Sequence, residues 1–173
     1  MNILLGAHST GKSTLLEKIR ETYPNIFTTD GFSRPVKIAK EKSSMSAVQE
    51  QVVLNELTCW AFENYINYKN LISTRSPIDA IIYTEYYLKG LKTQYIQDCF
   101  DKHKNSIDHI FYIPIEFPVV NDGVRFTDEQ DRINIDLAIQ KYIKDNNLPV
   151  ITLTGSVEER AKTVLQYLNY DKN

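Results

Sequence analysis

Short apolar runs alternate along the chain with longer amphipathic stretches. The runs fall at residues 3–5, 26–29, 71–74, 110–115 and 150–153, and their length is that of strands. Between them, apolar positions recur at three- and four-residue spacing, as at Leu15, Leu16 and Ile19, or Ile135, Ala138, Ile139 and Tyr142. That spacing lays one stripe of a helix against a core. Strands separated by helices require crossover connections, so the pattern predicts an α/β fold, a mostly parallel sheet of five strands with helices on both faces. There is no internal repeat, low-complexity tract or Pro/Gly/Ser-rich linker, so residues 1–173 read as a single domain.

Helix boundaries carry their own chemistry. Ser46 with Gln49 fits a capping box opening a segment that reaches about Tyr68, with Val48, Val52, Val53, Trp60 and Tyr65 as expected core residues. Ser76, Pro77 and Asp79 read as N-cap, first helical residue and N3 partner, and Gly90 as a stop signal. Thr127 and Gln130 form a third capping box.

Composition narrows the function classes. Hydrophobic residues at 42% and charged residues at 24% of 173 positions are globular values. With a net charge of −2, no global basic field favours tight non-specific nucleic-acid binding. Cys59 and Cys99 are too few for a disulfide framework and lack metal-ligand spacing, so reduced, buried thiols are expected. No apolar run approaches the roughly 18 residues of a membrane span, and the N-terminal residues lack the pattern of an export signal. A cytoplasmic protein without a membrane partner is the expectation.

The strongest chemical signal is Gly6-Ala7-His8-Ser9-Thr10-Gly11-Lys12-Ser13, which matches the phosphate-binding pattern G-x-x-x-x-G-K-[ST]. Consecutive backbone N–H groups wrap a phosphate chain, and the glycines permit the backbone angles and close approach that this requires. A following helix adds free N–H groups and the positive end of its dipole. Lys12 can bridge β- and γ-phosphates, and the Ser13 hydroxyl can ligate Mg²⁺. The apolar run at residues 3–5 before the loop and the helical spacing after it supply the required context. His8, inside the loop, has no orienting partner identifiable in the sequence and reads as loop-filling.

Such a loop serves kinases, GTPases, motors and regulatory ATPases alike. The N-K-x-D signature of guanine recognition is absent from the sequence. Leu71-Ile72-Ser73-Thr74-Arg75 ends without the carboxylate that motor and AAA-type ATPases use to hold Mg²⁺. A compact kinase is favoured.

Several stretches together resemble the small P-loop kinases related to the ribosylnicotinamide kinase domain and, more distantly, the deoxynucleoside and nucleoside monophosphate kinases. They are residues 6–14, Thr74-Arg75-Ser76-Pro77-Ile78-Asp79, Asp122-Gly123-Val124-Arg125 with Arg132, and Gly155 with Glu158-Glu159-Arg160. The resemblance spans nearly the whole chain. It implies a five-stranded parallel sheet in a three-layer sandwich, use of ATP and Mg²⁺, and phosphoryl transfer to a nucleoside-like acceptor. It also implies a lid at about residues 118–132.

Within that resemblance, Gly6, His8, Ser9, Thr10, Gly11, Lys12, Ser13 and Thr14 would bind the nucleotide, with Ser13 on the metal. Gly155 would pass beside the base. Asp30, after the second strand, would accept the proton of an attacking hydroxyl or orient it, although Asp30-Gly31 also fits a plain turn. Arg34 would hold an anionic group of the acceptor. Arg75 lies at the carboxyl end of a strand, where ligands of α/β folds collect. Arg125 and Arg132 would neutralise charge developing on the transferred phosphate. Thr74 stands where the family usually has an acid, which moves the carboxylate role to Asp30 or Asp79. Arg160 reads as a local cap or ion pair. Tyr83, Tyr86, Tyr87 and Tyr95 fit core packing or an interface better than base stacking.

Two other readings stay open. One is a kinase acting on a hydroxyl of DNA or of a modified base within it, suggested by Arg34, Lys37, Lys40 and Lys42. The other is a nucleotide-binding regulator or slow ATPase without an acceptor. Oligomeric state leaves no mark on the sequence.

Overall fold

A computed structural model describes residues 1–29, 32–118 and 129–169; of Ser33 and Arg34 it describes the backbone. Five strands, β1 (Asn2–Leu5), β2 (Thr28–Thr29), β3 (Ile72–Ser73), β4 (His109–Tyr112) and β5 (Val150–Thr152), form one sheet in the order β2-β3-β1-β4-β5. Every pairing is parallel. The helices are α1 (Lys12–Thr22), α2 (Ser33–Lys42), α3 (Ala47–Tyr65), α4 (Pro77–Tyr87), α5 (Gln94–His103), α6 (Glu129–Asp145) and α7 (Val157–Tyr167). All five strands fall on the runs read from the sequence; β1 and β4 each begin one residue earlier, at Asn2 and His109, and β2, β3 and β5 lie within their runs.

Side chains of β1 alternate between two cores, as the period of two in a strand demands. Ile3 and Leu5 face a core with Phe62 of α3, Ile78 of α4, Phe100 of α5 and Ile135 and Ile139 of α6. Leu4 faces the other, with Leu15, Leu16 and Ile19 of α1 and Val164 and Leu165 of α7. Helices therefore cover both faces. The connection leaving β1 enters the α1/α7 face, whereas those leaving β3 and β4, its two neighbours, enter the opposite face. A crevice opens at such a divergence beyond the carboxyl ends of the strands.

The Ser46–Gln49 and Ser76–Asp79 capping boxes are both formed. Thr127 lies outside the described residues. The core stripe of α3 differs from expectation. Val48, Val52 and Trp60 are 47%, 37% and 53% exposed, whereas Asn55, Thr58, Cys59, Ala61 and Phe62 are buried. The inward face carries a polar pair: Asn55 Nδ2 donates to Thr84 Oγ1 on α4 at 2.8 Å. A helix face satisfied by hydrogen bonds is invisible to a pattern that scores only apolar residues. Cys59 and Cys99 are free and buried, as expected.

Candidate functional site

The loop between β1 and α1 sits at the head of the crevice. Gly6 has no room for a side chain: a Cβ there would lie 2.6 Å from the Ile113 carbonyl oxygen and 3.0 Å from Thr10 Oγ1. Gly11, the N-cap of α1, has φ +90°, a conformation a side chain would strain. Ser9 also lies in the left-handed region, with φ +57°. Both glycines of the motif thus meet a demand that only glycine meets cheaply.

The carbonyls of this loop are held on named donors. Lys12 Nζ donates to Gly6 O at 2.6 Å and Ala7 O at 2.7 Å, and Thr10 Oγ1 donates to Ala7 O at 3.0 Å. Ser9 O accepts from Arg132 Nη1 at 3.2 Å, Thr10 O from Arg160 Nη1 at 3.2 Å, and Gly11 O from the Leu15 amide at 2.9 Å. Helices α3, α4 and α7 begin on capping boxes, the last formed by Ser156 and Glu159. Among the described residues, α1 has neither a side-chain cap nor an acidic residue in its first turn. A helix start without a side-chain cap or an acid favours an anion near it. Ser13 and Thr14 lie in that first turn.

On the β3 side, Ser73 Oγ donates to Arg75 O at 2.7 Å, shaping the turn that leads into α4. The Arg75 guanidinium lies 5.6 Å from the centroid of the Tyr83 ring, within cation–π range. Tyr83 Oη also lies 3.4 Å from His8 Nδ1, so this tyrosine joins the loop to α4. Thr74 is buried. The nearest acid downstream is Asp79, whose Oδ2 accepts from the Ser76 amide at 2.9 Å and from Ser76 Oγ at 2.8 Å. Its Oδ1 is buried without a hydrogen-bond partner among the described residues. Burial pushes the Asp79 pKa up, opposed first by the Arg75 charge and then by that of Lys12. Arg75 and Lys12 thus both act on the Asp79 carboxyl.

On the β4 side, Arg132 and Arg160 are 1% and 2% exposed. Arg132 Nη2 donates to Phe117 O at 2.7 Å and to Glu129 Oε1 at 2.7 Å. Arg160 Nη2 donates to Glu116 Oε2 at 2.6 Å, and the Gly155 amide donates to the same oxygen at 2.9 Å. Arg160 thus makes more than the local cap or ion pair read from the sequence. Its partners Thr10 and Glu116 are 150 and 44 positions away, and only its inward-facing register on α7, one turn before Val164, hinted at burial.

The structure thus brings Gly6, His8, Ser9, Thr10, Gly11, Lys12, Arg75, Asp79, Arg132 and Arg160 to one end of the sheet, with Ser13, Thr14 and Gly155 on the elements that frame it. Asp30 and Arg125 lie outside the described residues, as does the Arg34 side chain and most of the expected lid at 118–132. The basic stretch on α2 is partly engaged, since Lys40 pairs with Glu50 at 2.5 Å.

A glycine-bracketed loop joining a central parallel strand to an uncapped helix, in a five-stranded three-layer sandwich, defines a small protein of the P-loop kinase-like fold. A family model described as an AAA domain (AAA_28) matches residues 2–160. The chain belongs to that family. Among solved structures, NadR protein in complex with NR superposes with a TM-score of 0.76 at 17% identity, over 97% of this chain and 51% of that one. This chain therefore spans about half the length of that NadR chain. Deoxyadenosine kinase from M. mycoides matches with a TM-score of 0.66 at 14% identity, over 98% of this chain and 100% of that one. Thymidylate kinase from Ehrlichia chaffeensis matches with a TM-score of 0.63 at 16% identity, over 96% and 97%. A search of curated protein sequences returned no match. Among the described residues no helix is long and apolar enough to cross a membrane.

Proposed function

We propose that the protein is a phosphotransferase that moves the γ-phosphate of ATP, with Mg²⁺, to a hydroxyl or phosphate of a nucleoside, nucleotide or nucleoside-like small molecule. The observation that carries this reading is the start of α1: an uncapped helix N-terminus, a glycine-shaped loop, and Lys12 fixed by two loop carbonyls. An anhydride of phosphates is the ligand such a cradle suits. The structures of similar fold named for nucleoside and nucleotide kinases support the acceptor class.

The residues present fit a magnesium ion carried in with the nucleotide. Mg²⁺ keeps several waters and takes one or two protein oxygens besides phosphates, so the absence of a cluster of three or more His, Cys, Asp or Glu among the described residues suits it. Ser13 would hold the ion, and the unpartnered Asp79 Oδ1 is the described carboxylate oxygen available to complement its charge. When bound, the ion neutralises charge on the β- and γ-phosphates.

The chain's own residues then position and neutralise. Loop amides and Lys12 hold the triphosphate, while Arg75 and Arg34 hold the acceptor. An acceptor hydroxyl attacks the γ-phosphorus and its proton passes to Asp30, while the bond to the β–γ bridging oxygen breaks and ADP leaves. Arg125 supplies positive charge as that bond opens, and Arg132 sits close enough to the loop to add to the same field.

A transfer screen with γ-labelled ATP over nucleosides, nucleotides, nicotinamide riboside and DNA tests the reading. Label on a nucleoside-type small molecule is the expected result, absent in Lys12→Ala. Label on DNA alone, with strong salt dependence, would replace the acceptor class. The acceptor-free ATPase reading draws on Thr74 at the strand end, and phosphate release indifferent to every acceptor would favour it.

A further inference from the structure

We propose that Arg132 and Arg160 are paired positioning residues for phosphate binding. Two buried guanidiniums hold adjacent peptide groups of the loop with carbonyls outward, so that the N–H groups of Thr10 and Gly11 face the phosphates. The proposal rests on the reading that this loop binds a triphosphate.

In a trans peptide, the carbonyl of one residue and the N–H of the next point in opposite directions. Arg132 Nη1 on Ser9 O at 3.2 Å therefore orients the Thr10 N–H, and Arg160 Nη1 on Thr10 O at 3.2 Å orients the Gly11 N–H. Ser9 and Gly11 on either side both have positive φ. A stretch that includes glycine has several backbone arrangements open to it; donors within the motif hold the carbonyls of Gly6 and Ala7, while those of Ser9 and Thr10 are held from outside it.

The two arginines come from different helices, α6 and α7. Both are anchored again on the residues after β4, Arg132 on Phe117 O at 2.7 Å and Arg160 on Glu116 Oε2 at 2.6 Å. The Arg160 guanidinium also lies 5.4 Å from the centroid of the Phe117 ring. A planar fork of donors can span a carbonyl and a carboxylate at once, which one ammonium does less well. The loop is thus held from behind by residues that need not touch the ligand.

The test measures affinities of AMP-PNP and of inorganic tripolyphosphate, with Mg²⁺, for wild type, Arg132→Met, Arg160→Met and the double variant. Each single variant is expected to weaken both probes about tenfold or more. The double variant should lose less than the product of the two, because both substitutions release the peptides flanking Thr10. In unliganded Arg160→Met the Gly11 amide resonance should also move. Either single variant binding both probes within twofold of wild type, with the fold intact, overturns the proposal. Should Arg160→Met not fold, Arg160→Lys takes its place, with weakened binding expected and wild-type affinity overturning the proposal. Wild type binding neither probe would instead remove the triphosphate reading, and this proposal with it.

Discussion

Lys12 separates function from stability at a single residue. Its ammonium is tied to two carbonyls of the loop and it fills no core volume. Lys12→Ala should therefore abolish transfer while leaving the thermal midpoint within a few degrees of wild type; circular-dichroism melting beside a turnover assay checks both. Asp30→Asn should lower kcat far more than it weakens ATP, as single-turnover rates and AMP-PNP affinity would register. Asp79 has a different signature. Its folded pKa lies above the ordinary carboxyl value of 3.8 because it is buried, so between those two values the native state holds a proton the unfolded chain has lost. Stability contributed by that proton falls as pH rises through the window. Asp79→Asn keeps an acceptor for the Ser76 amide and cannot ionise, so it should flatten this slope and match wild type or better at neutral pH. Melting between pH 4 and 7.5 measures it, and equal destabilisation at every pH would assign the carboxyl to the helix cap alone.

Helix starts were the most legible elements, because an N-cap and its N3 partner are neighbours in sequence. Ser46–Gln49 and Ser76–Asp79 form as read. Removing the Ser76 hydroxyl takes a partner from both the Asp79 amide and its carboxylate, so Ser76→Ala should cost about 1–2 kcal/mol, visible as a lower midpoint in urea with an unchanged slope. The place and backbone demands of the glycine-bracketed loop were equally legible, since strand, loop and helix follow one another in consecutive residues. The face of α3 was not. Val48, Val52 and Trp60 share a helical spacing, yet the buried stripe runs through Asn55, whose partner Thr84 lies 29 positions away. Arg160 was obscured for the same reason: its role depends on a carbonyl and a carboxylate that only the tertiary fold brings near.

For the molecule as a whole, the site is shared between distant segments, and a ligand that binds it should stabilise all of them. A nucleotide at about a hundred times its dissociation constant adds roughly 2.7 kcal/mol. At this size that is a rise of about 5–11 °C in melting temperature. Mg²⁺ and AMP-PNP should produce it in wild type and not in Lys12→Ala, measured by calorimetry. In the core, Leu4→Ala should cost about 2–5 kcal/mol, because Leu4 is fully buried against α1 and α7. A loss below 1 kcal/mol in chemical denaturation would show that this core closes over the gap.

The position of β1 in the sheet also sets a timetable. Asn2 pairs with Ile72 on one side and His109 on the other, and the loop that β1 carries leans on Arg160 near the opposite end of the chain. During synthesis β1 emerges before β3 and β4 and waits for these partners, and contacts of such sequence separation form slowly. Nascent chains stalled before α7 would hold the motif in full and still lack its finished shape, so ligand capture should arise only once α7 has left the ribosome.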